Sequence, residues 1–354
     1  MKCSIIIPCY KEAENLKTLL PKIHASMIQA NLLYELIIVD DNSQDGTESL
    51  IKEMAKTIPV TLLTRKNDRG LSSAVIYGMN SAKGDILVCM DGDMSHNPKY
   101  LPKLIAPLVD QPSCEFVLAS RFISGGEITK NWSFYRHLNS KIATTLCRPL
   151  INKAITDPVS GFFALKKGTF KNAAPLTLLG FKIGLELLIK CHCQKIIEIP
   201  IHFEDRLEGQ SKLNTKEQIN YIIHLNHLYD YAYPVLSSII KFSTTFLLGL
   251  LACSFLLSLD LGLSQKAGLY IYYAPFIAVQ LSFFALYYTY SKETLKNKHP
   301  LLSCGFQLLI ELATLAIGVS VYPNIFISPT INWSLITLGV IGRIIGKTIV
   351  KKRD

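Results

Sequence analysis

Two acidic pairs in the first hundred residues are the side chains best placed for chemistry. Asp40 and Asp41 follow a short β-branched run, and Asp91 and Asp93 follow a second apolar run with Gly92 between them. Two carboxylates separated by a glycine can hold a divalent cation that also binds a diphosphate. Taken alone, Asp91-Gly92-Asp93 could equally be an acidic turn before the next helix. Its interpretation therefore depends on the surrounding elements.

Those elements can be predicted from the periodicity of apolar side chains. Short β-branched runs at residues 3–7 and 35–39 are separated by a helical pattern with one apolar face, which indicates a strand-helix-strand unit and a parallel sheet. Further strands are predicted at residues 60–63, 85–90, 116–119, 162–165 and 196–201. We therefore expect a Rossmann-like sheet flanked by helices, with both acidic pairs beyond the carboxyl ends of its strands.

Other polar residues stand where a nucleotide could bind. Pro8, Tyr10 and Glu12 follow the first strand and could flank a base, although a plain strand-to-helix turn is the alternative. Arg69 precedes a helix start near Leu71, where free N–H groups and the helix dipole favour phosphate. A solvated basic loop is the alternative there. An irregular polar and aromatic stretch at residues 125–136 could serve an acceptor.

The C-terminal third of the chain has a different character. Apolar segments of membrane-spanning length follow one another, at residues 236–259, 268–290, 301–322 and 333–350. The connection at 292–299 and the tail at 351–353 are basic, whereas the other two connections carry a single lysine, Lys266. This distribution predicts an integral membrane protein with four spans and both termini in the cytoplasm.

The domain organisation follows from this division. We expect a cytosolic catalytic domain at residues 1–212, an interfacial helix or linker at 213–235, and a transmembrane domain at 236–354. Arg206 and Lys212 lie in a glycine-containing loop that could close over anionic groups near the bilayer, or form a charge belt attracted to anionic lipid.

Composition is consistent with this organisation. The nine cysteines have no repeating spacing, and the first residues contain only a brief apolar run, so we expect reduced thiols and no secretory signal. The formal net charge of +10 fits nucleic acid, an anionic bilayer or a phosphate-bearing substrate. Among these partners we expect the bilayer and the phosphate, and not nucleic acid.

The motifs together resemble inverting glycosyltransferase family 2, in particular its dolichyl-phosphate (polyprenyl-phosphate) mannose synthases with a four-helix membrane domain. The resemblance covers essentially the whole chain and rests on the order and spacing of Ile7-Pro8-Cys9-Tyr10-Lys11-Glu12, Val39-Asp40-Asp41-Asn42-Ser43, Arg69-Gly70-Leu71-Ser72-Ser73-Ala74, Asp91-Gly92-Asp93-Met94-Ser95-His96, Ser120-Arg121-Phe122, Asp157-Pro158-Val159-Ser160-Gly161-Phe162-Phe163 and the loop at 206–212. It implies a GT-A type α/β mixed sheet flanked by helices, followed by an all-α membrane domain. It also implies mannose transfer from GDP-mannose to a polyprenyl (dolichyl-type) phosphate.

The resemblance also implies roles for individual residues. The nucleotide would be held by Pro8, Tyr10, Glu12, Asp40, Asp41 and Arg69. Asp91 and Asp93 would hold Mg²⁺ or Mn²⁺, and donor and acceptor phosphates would contact Arg121, Arg136, Ser160, Arg206 and Lys212. Asp157 would lie near sugar hydroxyls or the acceptor. Where some relatives have glutamine this chain has Ser95, a poorer ligand that we expect to act at most through a water.

Three other functions remain open at this point. A processive polysaccharide synthase would carry a Gln-x-x-Arg-Trp segment, and neither Trp132 nor Trp333 follows that pattern. A UDP-sugar-dependent polyprenyl-phosphate glucosyl or aminosugar transferase would keep the same metal and phosphate chemistry. A non-catalytic lipid-binding or translocating protein is disfavoured by the acidic pair and by Arg121.

Overall fold

The structure is a computed structural model that describes residues 1–128, 134–151, 154–204, 215–237, 239–240 and 244, without the side chains of residues 134–138, 215 and 216. The chain divides into two units, Met1–Pro234 and Val235–Asp354. Almost all of the second unit lies outside the described residues, including the predicted spans at 268–290, 301–322 and 333–350 and most of 236–259. Within the part that is described, no helix has the length and apolar character needed to span a bilayer.

The first unit alternates strands and helices. Its elements in chain order are β1 (Lys2–Cys9), α1 (Ala13–Gln29), β2 (Leu33–Asp40), α2 (Thr47–Met54), β3 (Val60–Thr64), α3 (Leu71–Ser81), β4 (Ile86–Cys89), α4 (Leu101–Asp110), β5 (Phe116–Ser120), β6 (Glu127–Ile128), α5 (Phe134–Cys147), β7 (Phe163–Lys166), α6 (Lys167–Lys171), α7 (Ile183–Lys190), β8 (Ile196–Pro200), β9 (His202–Phe203) and α8 (Thr215–Ala232). Short 3₁₀ turns at Pro98–Tyr100 and Arg148–Leu150 precede α4 and follow α5.

Seven strands form one mixed sheet in the order β3-β2-β1-β4-β7-β5-β8. Strands β1 and β2 pair in parallel, with Lys2 opposite Leu33 and Cys9 opposite Asp40. Strand β7 runs antiparallel to both β4 and β5, whereas β8 is parallel to β5. The strands predicted from apolar periodicity are confirmed to within a few residues, and the mixed α/β fold with flanking helices is as expected. A separate small sheet joins β6 to β9.

Alternate residues of the central strands enter two cores on opposite faces of the sheet. Ile5 and Ile7 of β1 pack with helices α1 and α4, while Ile6 packs on the opposite face with α3 and α7. Burial on both faces explains why these strands are continuous apolar runs in the sequence. On α3, a Cβ at Gly78 would lie 2.6 Å from a methyl group of Ile6, so the glycine allows this helix to approach the sheet closely.

A third, smaller core joins α8 to the rest of the first unit. It contains Tyr221, Leu225 and Leu228 from α8, together with Cys147 and Leu185 from the α5 and α7 segments. The predicted interfacial helix therefore has a packed face. Other apolar side chains of α8 are exposed, with Ile219 at 55% and Ile222 at 54%. The helix thus has one packed face and one exposed face with apolar side chains, and its position at a membrane interface stays a prediction.

Candidate active site

A cavity of about 950 Å³ opens at the carboxyl ends of β1 and β4, where the sequence predicted a crevice. It brings together most of the predicted site residues, although they are far apart in sequence. Its walls include Pro8, Tyr10, Glu12, Asp41, Arg69, Asp91, Asp93, Arg121 and Ser160. Three predicted residues, Asp40, Ser95 and Asp157, are not part of the wall and are buried behind it.

The turn after β4 presents the acidic pair. The side chain of Asp91 is 33% exposed, whereas Asp93 is buried. Asp93 Oδ1 accepts hydrogen bonds from the backbone N–H of Ser95 at 3.1 Å and from its hydroxyl at 2.6 Å. The Ser95 hydroxyl is thus engaged in orienting Asp93, and its role toward a metal stays a prediction.

His96 supports the other member of the pair. Its Nδ1 accepts a hydrogen bond from the backbone N–H of Asp91 at 3.0 Å, which makes Nδ1 an acceptor in this structure. The ring is buried, stacked on Phe162 at 4.9 Å and in edge contact with Phe203 at 5.6 Å. Burial lowers the pKa of His96 despite the opposing effect of the two nearby aspartates. A neutral His96 therefore fixes the backbone from which Asp91 projects.

Gly161 leaves space beside the Asp91 carboxylate. A Cβ built at this glycine would lie 3.4 Å from Asp91 Oδ2, 3.5 Å from Oδ1 and 3.5 Å from His96 Cε1. These are ordinary contact distances, and the backbone of Gly161 is not in the left-handed region. An alanine would therefore be accommodated by the fold, but its methyl group would cover both oxygens from one side.

We expect Gly161→Ala to lower kcat by about tenfold or more with little change in thermal stability. The added methyl group would occupy space that a cation and its diphosphate need beside Asp91. Steady-state kinetics and a melting curve check this prediction, with Gly168→Ala as the control, because a Cβ at Gly168 meets nothing within 4 Å. Wild-type kcat in Gly161→Ala would contradict it.

The acidic pair fits a hard divalent cation shared with a substrate. Among the residues that the structure describes, no group of three or more His, Cys, Asp or Glu side chains could enclose a metal on its own. Mg²⁺ commonly uses one or two carboxylates and completes its coordination with water and substrate phosphates. The two carboxylates beside an open cavity match this second kind of site.

A second cavity of about 440 Å³ adjoins the nucleotide-side residues. Tyr10 and Arg69 line both cavities, and the Arg69 guanidinium lies over the Tyr10 ring at 4.8 Å. Three residues of its wall, Lys11, Asn42 and Gln44, are non-glycine residues with positive φ. Such costly backbone conformations cluster at ligand-binding sites. Asn42, Gln44 and Asp45 line this cavity beside Tyr10 and Arg69. The backbone strain at Asn42 and Gln44 has no clear signal in the sequence.

The aspartates after β2 are held by the protein itself. Asp40 accepts hydrogen bonds from the backbone N–H and the hydroxyl of Ser43. Asp41 accepts from Arg65 Nε at 2.7 Å and from the backbone N–H of Gly70 at 3.0 Å. Asp40 is buried and lies outside the cavity wall, and its predicted contact with the nucleoside stays a prediction. Asp41 borders the cavity and also ties the start of α3 to β2.

Arg121 and Asp157 form one buried unit. Arg121 Nε and Nη2 donate to the two carboxylate oxygens of Asp157 at 2.7 and 2.8 Å, and the Arg121 backbone N–H adds a bond at 3.1 Å. The Asp157 side chain is fully buried. Asp157 was predicted to lie near sugar hydroxyls or the acceptor. In the structure it is buried and orients the guanidinium of Arg121, which borders the cavity, and its proximity to a sugar or an acceptor stays a prediction.

The cavity wall also contains large apolar side chains. Large side chains from α5, the segment before α7, and α8 line it and are partly exposed: Ile142, Leu146, Leu178 and Ile222. We call these four residues the apolar mouth. Helix α5 supplies two of them, and only its first turn overlaps the stretch at 125–136 that the sequence analysis interpreted as irregular.

Lys182, at the start of α7, is a cavity residue that the sequence analysis missed. Three predicted phosphate-binding residues lie outside the described part: Arg206 and Lys212 entirely, and Arg136 by its side chain. Their proximity to the cavity stays a prediction.

Comparison with known proteins agrees with this geometry. The family model described as glycosyl transferase family 2 matches residues 4–173. A dolichol-phosphate mannosyltransferase of Pyrococcus furiosus is 40% identical over 253 residues, which is 71% of this chain and 70% of that protein. One of Saccharomyces cerevisiae is 42% identical over 235 residues, covering 64% of this chain and 86% of that protein.

One of the solved structures similar to this chain is glucosyl-3-phosphoglycerate synthase from Mycobacterium tuberculosis. The TM-score is 0.49 at 16% identity, over 65% of this chain and 80% of that one. The family assignment rests on the sequence relatives, each of which is matched over two thirds or more of its own length. The chain therefore belongs to glycosyl transferase family 2, in the group of the dolichol-phosphate mannosyltransferases.

Proposed function

We propose that this glycosyltransferase moves a mannosyl group from GDP-mannose to a dolichyl-type polyprenyl phosphate, with inversion at the anomeric carbon and with Mg²⁺ or Mn²⁺ as cofactor. The observation that carries the proposal is the composition of the 950 Å³ cavity. Its wall combines carboxylates and cations with the four side chains of the apolar mouth. A lipid phosphate likewise joins an anionic head group to an apolar chain. The relatives' names also indicate a dolichol-phosphate acceptor and mannose as the sugar.

The donor would occupy the nucleotide side. Its base fits the 440 Å³ cavity between Tyr10 and Gln44, and its diphosphate would extend past Arg69 toward Asp91 and Asp93. Those two carboxylates would hold the cation, which supplies charge neutralisation for the leaving diphosphate. The Arg69 guanidinium would add positive charge near the same group.

The acceptor requires little activation by the protein. The second pKa of a phosphate monoester is about 6, so one of its oxygens is already largely ionised near neutral pH. The task of the chain is then to align that oxygen with the anomeric carbon and to exclude water. Single displacement by the acceptor oxygen would invert the anomeric centre.

We further propose that the reaction takes place at the cytoplasmic face of the membrane. This rests on the sequence pattern of four apolar segments with basic inner connections, and on the partly exposed apolar face of α8. An exposed apolar face on a helix that also packs on the catalytic unit suits the boundary between water and lipid.

A donor screen tests the proposal. Purified full-length protein with Mn²⁺ and a polyprenyl phosphate is incubated with radiolabelled GDP-mannose, UDP-glucose or UDP-N-acetylglucosamine. We expect lipid-linked product from GDP-mannose, at least tenfold faster than from either UDP-sugar. Polyprenol, which lacks the phosphate, serves as the control acceptor and should give no product. Transfer from a UDP-sugar alone would overturn the donor assignment.

A further inference from the structure

Lys182 is a half-buried lysine on the wall of the large cavity. Its ammonium donates a hydrogen bond to the carbonyl oxygen of Val159 at 2.9 Å and lies over the ring of Phe181 at 4.9 Å. The segment that carries it is well anchored, because the carbonyl of the neighbouring Gly180 accepts bonds from the backbone N–H and hydroxyl of Ser72. The ammonium is therefore held in one place.

A second lysine of the same helical segment shows what a satisfied buried ammonium is like. Lys190 donates to Glu186 at 2.7 Å, to the carbonyl of Pro175 at 2.7 Å and to the hydroxyl of Thr177 at 3.1 Å. All three of its N–H donors have an acceptor. Among the described residues, Lys182 has one hydrogen-bond acceptor, Val159, and forms no ion pair.

The surroundings of Lys182 are therefore costly for a cation unless an anion arrives. Burial lowers its pKa to about 8, the nearby Arg121 lowers it as well, and Asp157 and Asp91 oppose the shift. A lysine without a direct carboxylate partner, in a cavity that must bind phosphates, is typical of an anion-binding group. If Lys182 served only to stabilise the fold, an apolar side chain at this position would do so better.

Arg121 does not remove the need for this charge. Its guanidinium forms a two-point ion pair with Asp157, so the pair together carries little net charge. On this side of the cavity Lys182 therefore contributes positive charge that no directly paired carboxylate cancels.

The position of Lys182 indicates which phosphate it would meet. It borders the same cavity as Asp91 and Arg121, and the segment that carries it also supplies Leu178 of the apolar mouth. A lipid phosphate whose chain leaves through the apolar mouth would place its head group near this segment. The donor diphosphate would be nearer to Arg69 and the acidic pair, at the ends of β1 and β4.

We infer that Lys182 binds an oxygen of the acceptor's phosphate and holds it for attack on the sugar. This inference rests on the proposed function and adds a binding residue to it. Because a hydrogen bond to a charged group is stronger than a neutral one, losing it should weaken acceptor binding by roughly tenfold to a hundredfold.

The test uses the full-length enzyme and varies one substrate at a time. We expect Lys182→Met to raise the KM for polyprenyl phosphate by roughly tenfold or more, and to leave the KM for GDP-mannose and the Kd for GDP with Mn²⁺ within about twofold. Lys182→Arg, which keeps the charge, should recover part of the loss. Lys99→Met is the matched control, because Lys99 also lies over an aromatic ring, Tyr100 at 5.1 Å, but is exposed and outside the cavity.

The alternatives give different results. An unchanged acceptor KM in Lys182→Met, or a rise confined to the donor KM, would overturn the inference. If Lys182→Met fails to fold, Lys182→Arg and Lys182→Gln decide the matter, since a cation requirement predicts better acceptor binding in the arginine variant. Equal losses of acceptor binding in folded Lys182→Arg and Lys182→Gln would contradict the inference. Failure of the proposed function is seen separately, as absence of lipid-linked mannose from the wild-type enzyme.

Discussion

Replacing Asp91 by asparagine is expected to lower kcat by roughly 10³-fold. The change removes one negative charge and one ligand from the site where a divalent cation would neutralise the leaving diphosphate. Because the side chain is 33% exposed and borders an open cavity, the melting temperature should change little. Radiolabelled transfer assays and thermal unfolding of the same preparations measure both effects.

Asp93→Asn should have a comparable effect on turnover, but for this residue asparagine is a better test than alanine. Asp93 is buried, and its Oδ1 accepts two hydrogen bonds from Ser95. A carboxamide oxygen can keep both bonds, whereas alanine would leave the Ser95 donors without their acceptor. Loss of activity in a folded Asp93→Asn variant therefore reports on charge and coordination.

Asp110→Asn is the control for both variants, since Asp110 is an exposed aspartate at the end of α4. Titration of each variant with Mn²⁺ adds a second measurement. A cation site predicts that the apparent affinity for Mn²⁺ in the presence of GDP falls in Asp91→Asn and Asp93→Asn and is unchanged in the control. Wild-type turnover in Asp91→Asn would rule out the metal role.

The acidic pair could be predicted from the sequence because it depends on local pattern. A strand buried on both faces is a continuous apolar run, and polar residues directly after it must lie at the carboxyl end of the sheet. The runs that became β1, β2 and β4 were recognisable in this way, and so were Asp91 and Asp93 as cavity residues. No knowledge of distant contacts was needed.

The roles of Asp40, Asp41 and Asp157 could not be predicted in the same way. Each is an aspartate next to a strand or turn, and whether it faces the cavity depends on which residue pairs with it. Asp41 pairs with Arg65 and Asp157 with Arg121, at sequence separations of 24 and 36. Such pairings follow from the order of strands in the sheet, and the antiparallel insertion of β7 between β4 and β5 has no local signature.

Lys182 was missed for a related reason. It stands in the run Phe181-Lys182-Ile183-Gly184, where a lysine before an apolar helix suggests a solvated helix end. Only the tertiary structure shows that the ammonium is buried beside Val159 and borders the cavity. Sequence patterns identify charged residues well, but burial of a charge depends on contacts made elsewhere in the chain.

Breaking the ion pair between Arg121 and Asp157 is expected to lower both the stability and the turnover of the enzyme. Asp157→Ala would leave the Arg121 guanidinium, whose side chain is only 10% exposed, without its carboxylate. Removing one partner of a buried ion pair typically costs about 3–5 kcal/mol of unfolding free energy. We therefore expect Asp157→Ala to lower the stability of the catalytic unit by that order and to reduce turnover at least a hundredfold.

Asp157 is a positioning residue in this interpretation, and a second variant separates that role from simple loss of stability. The double variant Arg121→Met with Asp157→Leu replaces both charges by apolar side chains of similar size, so it should be more stable than Asp157→Ala and still inactive. Denaturant unfolding and transfer assays on both variants make the comparison.

Glu127→Gln is the control, since Glu127 and His202 form an exposed pair that should contribute little to stability. A double variant that is stable and active would show that the guanidinium of Arg121, which Asp157 orients, is not required for turnover.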